Sequence, residues 1–263
     1  MSRDSIQYKT DAEIELQRES SLLVGKTLAE VAKILKPGVS TKALDELAET
    51  YIRDNAALPG FKGYGGFPAT LCISINDEVV HGIPGDRVVE DGDVVSIDCG
   101  TIKHGFYGDS AYTFAVGNVN EEVKLLLQRT KESLYLAIEQ AVVGKRVGDI
   151  GYAVQNYCES FGYGVVRDLV GHGVGRNLHE KPEVPNFGRR GTGPKLKEGM
   201  CIAIEPMITL GSYDIKQDAD GWTIRTIDGL PAAHYEHDLA IRKGKADVLS
   251  TFKYIEEVLN KQQ

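Results

Sequence analysis

The sequence predicts an α+β fold built from two similar halves, and three observations point there. A helix–turn–helix pattern occurs twice, with turn glycines at Gly38 and Gly144. Each copy leads into strand-rich sequence. Asp98, Asp109, His172, Glu205 and Glu236 then stand in short apolar or glycine-rich frames spread over both halves: VVSIDCG, GFYGDSAYTF, VGHGVG, CIAIEPMI and HYEHDLAI. Burying an acid or imidazole in such a frame is costly unless something compensates its charge. Four carboxylates and one histidine call for a shared cation site, and four oxygen donors favour two metals over one.

The first unit, KTLAEVAKILKPGVSTKALDELAETYIRD, begins near Lys26 and carries a helical apolar period on both sides of Gly38. The second is RTKESLYLAIEQAVVGKRVGDIGYAVQNYCES. Aligned on the glycines, 106 residues apart, Leu44 meets Ile150, Leu47 meets Ala153 and Tyr51 meets Tyr157. Two amphipathic helices often align this well. Asp98 and Glu205 strengthen the repeat, because they lie 107 residues apart and both end β-branched strand patterns, DVVSIDCG and GMCIAIEPM. We therefore read residues 1–263 as one unit: a short polar N-terminal segment, then halves at about 26–115 and 123–245, with VGNVNEE as a short loop between them.

Between the helical units, DVVSIDCG, the turn-like IKHG and YGDSAYTFAVG form a hairpin pattern. A turn centred on Lys103 and His104 would set Asp98 directly opposite Asp109, with Cβ atoms roughly 5 Å apart. Facing carboxylates repel unless a cation or proton lies between them. The apolar neighbours Ile97, Tyr107, Ala111 and Tyr112 argue against two exposed acids at a hairpin tip.

Of the six histidines, His172 in GHGVG has small neighbours that allow close approach. His81 ends the strand-like LCISINDEVVHGIPG before a Gly-Pro turn, and His179 follows in NLHEKP. Taken singly, each of these two is more often structural than catalytic. His104 falls in the hairpin turn and His234 near a loop, and neither receives a role. His237, next to Glu236 in a strand, should face away from the metals. Gly171, Gly173 and Gly175 lack the pattern of a dinucleotide loop.

A net charge of −8 and a pI near 5.3 argue against binding DNA or anionic membranes. The polar N-terminus lacks a signal core and no run approaches a membrane span, so a cytoplasmic location is expected. Cys72, Cys99, Cys158 and Cys201 are scattered, which predicts reduced, buried thiols. Cys99 should point to the opposite face from Asp98, into the core.

Taken together, CISINDEVVHGIP, VVSIDCG, GFYGDSA, GHGVGRNLHEKP, AIEPM and DGWTIRTIDGLPAAHYEHDLAI resemble the type I methionine aminopeptidases, from about Lys26 to about Ile241. The resemblance implies the pita-bread fold, two pseudo-twofold-related α+β halves around a curved antiparallel sheet. It implies two divalent ions (Mn, Fe, Co or Zn). Asp98 and Asp109 would bind metal, Asp109 and Glu236 would bridge both ions, and His172 and Glu205 would complete the set. Glu205 would also shuttle a proton. His81 and His179 would bind substrate and assist catalysis. An apolar pocket for the methionine side chain would comprise Tyr64, Phe67, Cys72, Leu178 and Trp222. Leu178 stands where many relatives carry an aromatic, and Phe67 where a tyrosine is common. The 33 residues from His172 to Glu205 leave no room for the helical insertion of type II relatives.

The rival readings are an X-Pro peptidase of the same fold, an inert peptide-binding relative and a structural metal protein. The substrates expected are N-terminal peptides of nascent proteins. Residues 171–200 carry six basic against three acidic side chains, a stretch that could touch ribosomal RNA, although a solvated loop is the simpler reading. No exposed apolar repeat demands a partner, so a monomer is expected.

Overall fold

Thr10 starts the first helix with a capping box: its side chain accepts the Glu13 N–H, while the Glu13 carboxylate accepts the Thr10 N–H. The computed structural model describes residues 5–262; the first four residues of the polar N-terminal segment and Gln263 lie outside the described residues. Helix α1 (Asp11–Ile34) thus begins well before the expected Lys26. A turn through Gly38 leads to α2 (Thr41–Asp54), capped by Ser40. Strands β1 (Leu58–Pro59), β2 (Leu71–Ile75), β3 (Glu78–Val80), β4 (Val94–Lys103) and β5 (Phe106–Ala115) follow.

The chain then repeats this order. Helix α3 (Glu121–Ile138) turns through Gly144 into α4 (Val147–Glu159). Gly38 and Gly144 adopt φ of 94° and 99°, the left-handed conformation that a turn glycine supplies without penalty. Short strands follow: β6 (Gly164–Val165), β7 (Gly171–Gly173), β8 (Glu180–Val184), β9 (Cys201–Ile204) and β10 (Met207–Thr209). Next come β11 (Ile215–Gln217), β12 (Ile224–Thr226), β13 (Ala232–His234), β14 (His237–Ala240) and β15 (Asp247–Val248), and then α5 (Lys253–Gln262). Among the described residues no helix is long and apolar enough to cross a membrane.

The strand ladders are antiparallel. Strand β4 lies between β2 and β5 in one sheet, and β15-β14-β9-β7-β8 form another. Period-two alternation divides β4 between two environments. Val95, Ile97 and Cys99 join Leu28, Leu44 and Ile52 of the helices in the main core, each fully or almost fully buried. Ser96 and Asp98 take the other face, where Ser96 hydrogen-bonds Thr113 of β5 at 2.9 Å. Cys99 is therefore a core residue, as expected.

Helix α1 lies directly on β5. A Cβ at Gly108 would come within 2.3 Å of the Ser21 backbone nitrogen, so only glycine permits this approach. Asp109, the next residue, is thereby held at a fixed height above the helix.

Candidate metal centre

The β4–β5 hairpin differs in register from the expectation. Its turn is His104–Gly105, with φ of 53° and 75°, and Lys103 pairs with Phe106. A two-residue hairpin turn of this kind needs positive φ at both centres, which Gly105 accepts freely. Asp98 consequently faces Ala111, and Asp109 faces Gly100. Because the partner shifts by two residues, both carboxylates keep the same face and become diagonal neighbours. Asp98 also lies in mid-strand, since β4 continues to Lys103 instead of ending at the acid.

His172 is the middle residue of β7. Cβ atoms at Gly171 and Gly173 would meet the Ala203 and Lys181 carbonyl oxygens at 2.5 and 2.4 Å, so the flanking glycines let β7 fit between β8 and β9. His172 Nδ1 donates to the Gly173 carbonyl at 2.9 Å, leaving Nε2 as a free acceptor. That nitrogen lies 3.6 Å from Glu205 Oε1 and 3.9 Å from Asp109 Oδ2. Glu205 follows β9 directly. Glu236 sits between β13 and β14, fastened to β5 by its N–H to the Ala111 carbonyl and by Ser110 Oγ donating to its own carbonyl.

Asp109, His172 and Glu236 each offer a ligand atom within 4.8 Å of the others. All five expected ligands line one cavity of about 630 Å³. Asp98 Oδ1, Asp109 Oδ1 and Glu236 Oε1 are buried without a hydrogen-bond partner. Burial pushes Asp98 up to about 7 and Glu205 up to about 8. Burial first, then neighbouring carboxylates, raises Asp109 and Glu236 well above the usual range. Burial and the nearby His179 depress His172 to about 3, so its imidazole is neutral. Carboxylates this crowded cannot all ionise without cations, and neutral imidazole is the form that binds metal. The donor set therefore fits divalent ions.

The remaining expected residues line the same cavity: His81, His179, Tyr64, Phe67, Cys72, Leu178 and Trp222. Cys72 pairs with Asp98 across β2 and β4, which puts the thiol on the same face as the Asp98 carboxylate. Phe67 meets Trp222 edge-on at 5.1 Å and packs with Leu178 and Cys72. Tyr64 Oη is 3.0 Å from His179 Nδ1, and the His179 ring meets His172 edge-on at 4.3 Å. His81 follows β3 with φ of 61°, and burial depresses its pKa to about 4. Burial lowers His179 as well.

Two neighbours of the centre escaped the sequence reading. His234, expected near a loop and given no role, ends β13 buried, its Nε2 3.5 Å from Glu205 Oε2. Asp238 accepts the Asp109 N–H at 2.7 Å and the Ser21 hydroxyl at 2.9 Å. Both lie two residues from Glu236, so period-two spacing was the available signal. His237 does face away: its Nδ1 meets Ser250 Oγ at 2.7 Å and its ring stacks on Phe252. His104 stays in the turn, beside Glu19.

The sequence profile of metallopeptidase family M24 matches residues 15–243. A methionine aminopeptidase of Clostridium acetobutylicum is 53% identical over 92% of this chain and 97% of its own. The chain belongs to family M24 and, within it, to the type I methionine aminopeptidases. Methionine aminopeptidase 1 of Bacillus subtilis is 48% identical over 92% of this chain and 98% of its own. The crystal structure of the Rickettsia prowazekii methionine aminopeptidase superposes with a TM-score of 0.92 at 40% identity, covering 94% of this chain and all of that one. The fold is accordingly the pita-bread fold of this family.

Proposed function

We propose that this chain removes the initiator methionine from nascent proteins, with two divalent ions bound and a small second residue preferred. The observation that carries the reading is the cavity itself. Unpartnered buried carboxylate oxygens and a neutral His172 lie at one end, and the apolar side chains Phe67, Leu178, Cys72 and Trp222 lie beside them. The apolar part suits an unbranched thioether.

Asp98, Asp109, His172, Glu205 and Glu236 would hold the ions. When bound, the ions supply positive charge that polarises the peptide carbonyl and acidifies water; Mn, Fe, Co and Zn all suit the set. Glu205 moves a proton from the attacking water to the leaving amine. His179 and His81 hydrogen-bond the developing oxyanion and the amine. A Tyr64 hydroxyl donating to His179 Nδ1 leaves Nε2–H free to donate to the carbonyl oxygen. Burial lowers both imidazoles below their ordinary pKa and so favours the neutral form, His81 to about 4.

Residues 26–115 and 123–245 are read as two related halves, with the ions at their junction. A monomer acting in the cytoplasm completes the picture. Arg189, Arg190, Lys195 and Lys197 are exposed and available to ribosomal RNA. Ribosome cosedimentation unchanged by reversing these four charges would remove that contact.

The test is methionine release from Met-Gly-Met by metal-free protein titrated with manganese or cobalt. A chelator, Asp109→Asn, Ala-Gly-Met and a Met-Pro peptide are the controls. Metal-dependent release of methionine alone, lost in the variant, is expected. Preference for proline-containing substrates whatever the first residue would move the chain to the X-Pro branch, and bound metal without turnover would leave a peptide-binding protein.

A further inference from the structure

The segment ahead of α1 lies across the tip of the β7–β8 hairpin. Lys9 donates its backbone N–H to the Gly199 carbonyl at 2.7 Å, and its Nζ reaches Glu180 Oε2 at 2.6 Å. Both side chains of this ion pair are only 5% exposed. Contact is tight enough that a Cβ at Gly175 would meet Lys9 Cε at 2.4 Å. The other Glu180 oxygen accepts the Asn177 N–H at 3.1 Å. One carboxylate thus ties together the two residues that bracket Leu178 and His179.

A buried ion pair is a poor way to gain stability, because desolvating two charges offsets most of their attraction. It is a good way to fix geometry, since each partner is costly to leave unpaired. We infer that Lys9 is a positioning residue for His179 and Leu178: Lys9 holds Glu180, Glu180 holds Asn177, and the two residues between are presented to the cavity at one height. The inference rests on the proposed role of His179 in substrate binding. It adds that a residue 170 positions away in sequence, outside the cavity wall, sets the catalytic geometry.

Lys9→Met keeps the stem and removes the charge; Glu180→Gln keeps the acceptor and weakens the pair, and serves if Lys9→Met fails to fold. Metal-loaded Lys9→Met should lose about 10- to 100-fold in kcat/KM for Met-Gly-Met at unchanged metal affinity, the cost of a small misplacement. In a His179→Ala background the same change should cost much less, because only the Leu178 contact remains to be misplaced. The ring-proton NMR signal of His179 should shift in Lys9→Met and return toward its original position in Lys9→Arg. Wild-type kcat/KM at a lowered Tm would overturn the inference, as would an undiminished loss in the His179→Ala background or an unmoved His179 signal. A wild-type protein that releases no methionine would instead defeat the proposed function, and the NMR comparison would still decide the positioning.

Discussion

Asp98→Asn should make the metal-free protein more stable at pH 8 and the metal-loaded protein less stable, so that the two stability orders cross. Asp98 is displaced from its ordinary 3.8 to about 7, chiefly by burial. A carboxyl raised in the folded state carries no penalty below its unfolded value and a growing one as pH rises through the folded value. At about 1.4 kcal/mol per pH unit the full displacement is worth about 4 kcal/mol. The cavity leaves Asp98 in partial contact with solvent, which screens the charge, so roughly 2 kcal/mol is the working figure. For a chain of this size that is a rise in Tm of about 4 °C. With metal in excess the wild type gains about 2.7 kcal/mol at a hundredfold over Kd, much of which the variant forfeits. Thermal unfolding in chelator and in saturating manganese, each at pH 5 and pH 8, reads both effects. A variant less stable than wild type in chelator at pH 8 would refute the argument that unpaired carboxylates burden this site.

Three further outcomes follow from the same geometry. Asp98 and Glu205, raised to about 7 and about 8, must lose their protons to bind metal, so affinity should fall as pH drops below about 8; calorimetric heats that do not vary with buffer ionisation enthalpy would count against it. His234→Leu should cut activity or metal affinity by about tenfold or more, whereas His234→Gln, which keeps a polar neighbour for Glu205, should cost less; equal losses, measured by steady-state kinetics, would mean that His234 only fills space. Phe67→Ala, which opens a packed contact with Trp222, should cost about 3 kcal/mol in stability and relax the choice of first residue; undiminished methionine preference across a Xaa-Gly-Met peptide series would exclude Phe67 from the pocket.

What could be read from the chain is instructive in its unevenness. Acids and imidazoles in apolar frames are readable because burying them is costly without a compensating charge, and this logic needs no coordinates. The helix pairs were readable through their period and their turn glycines. The start of α1 was written at Thr10 and Glu13 as a capping-box spacing, but the repeat drew attention to Lys26 instead. Centring IKHG on Lys103 and His104 misplaces the hairpin register by two residues, because the two adjacent positive φ values fall at His104 and Gly105. That slip left the site intact because a partner shift of two residues preserves which side chains share a face.

Other features are invisible to local reading for a physical reason. Cys72 reaches the face of Asp98 only because β2 pairs with β4 in a register that neither strand announces. Lys9 and Glu180 lie 171 residues apart, and each taken alone looks like a solvated surface charge. Asp238 holds the Asp109 backbone across 129 residues in the same way. Candidacy as a ligand is a property of the side chain and its immediate frame, so it can be read from the sequence. Ligand orientation is set by long-range contacts, and these appear only once the chain has folded. The groups that aim the catalytic residues are therefore the ones for which structure adds most, and Lys9, His234 and Asp238 are where substitution should separate a correctly assembled site from a correctly aimed one.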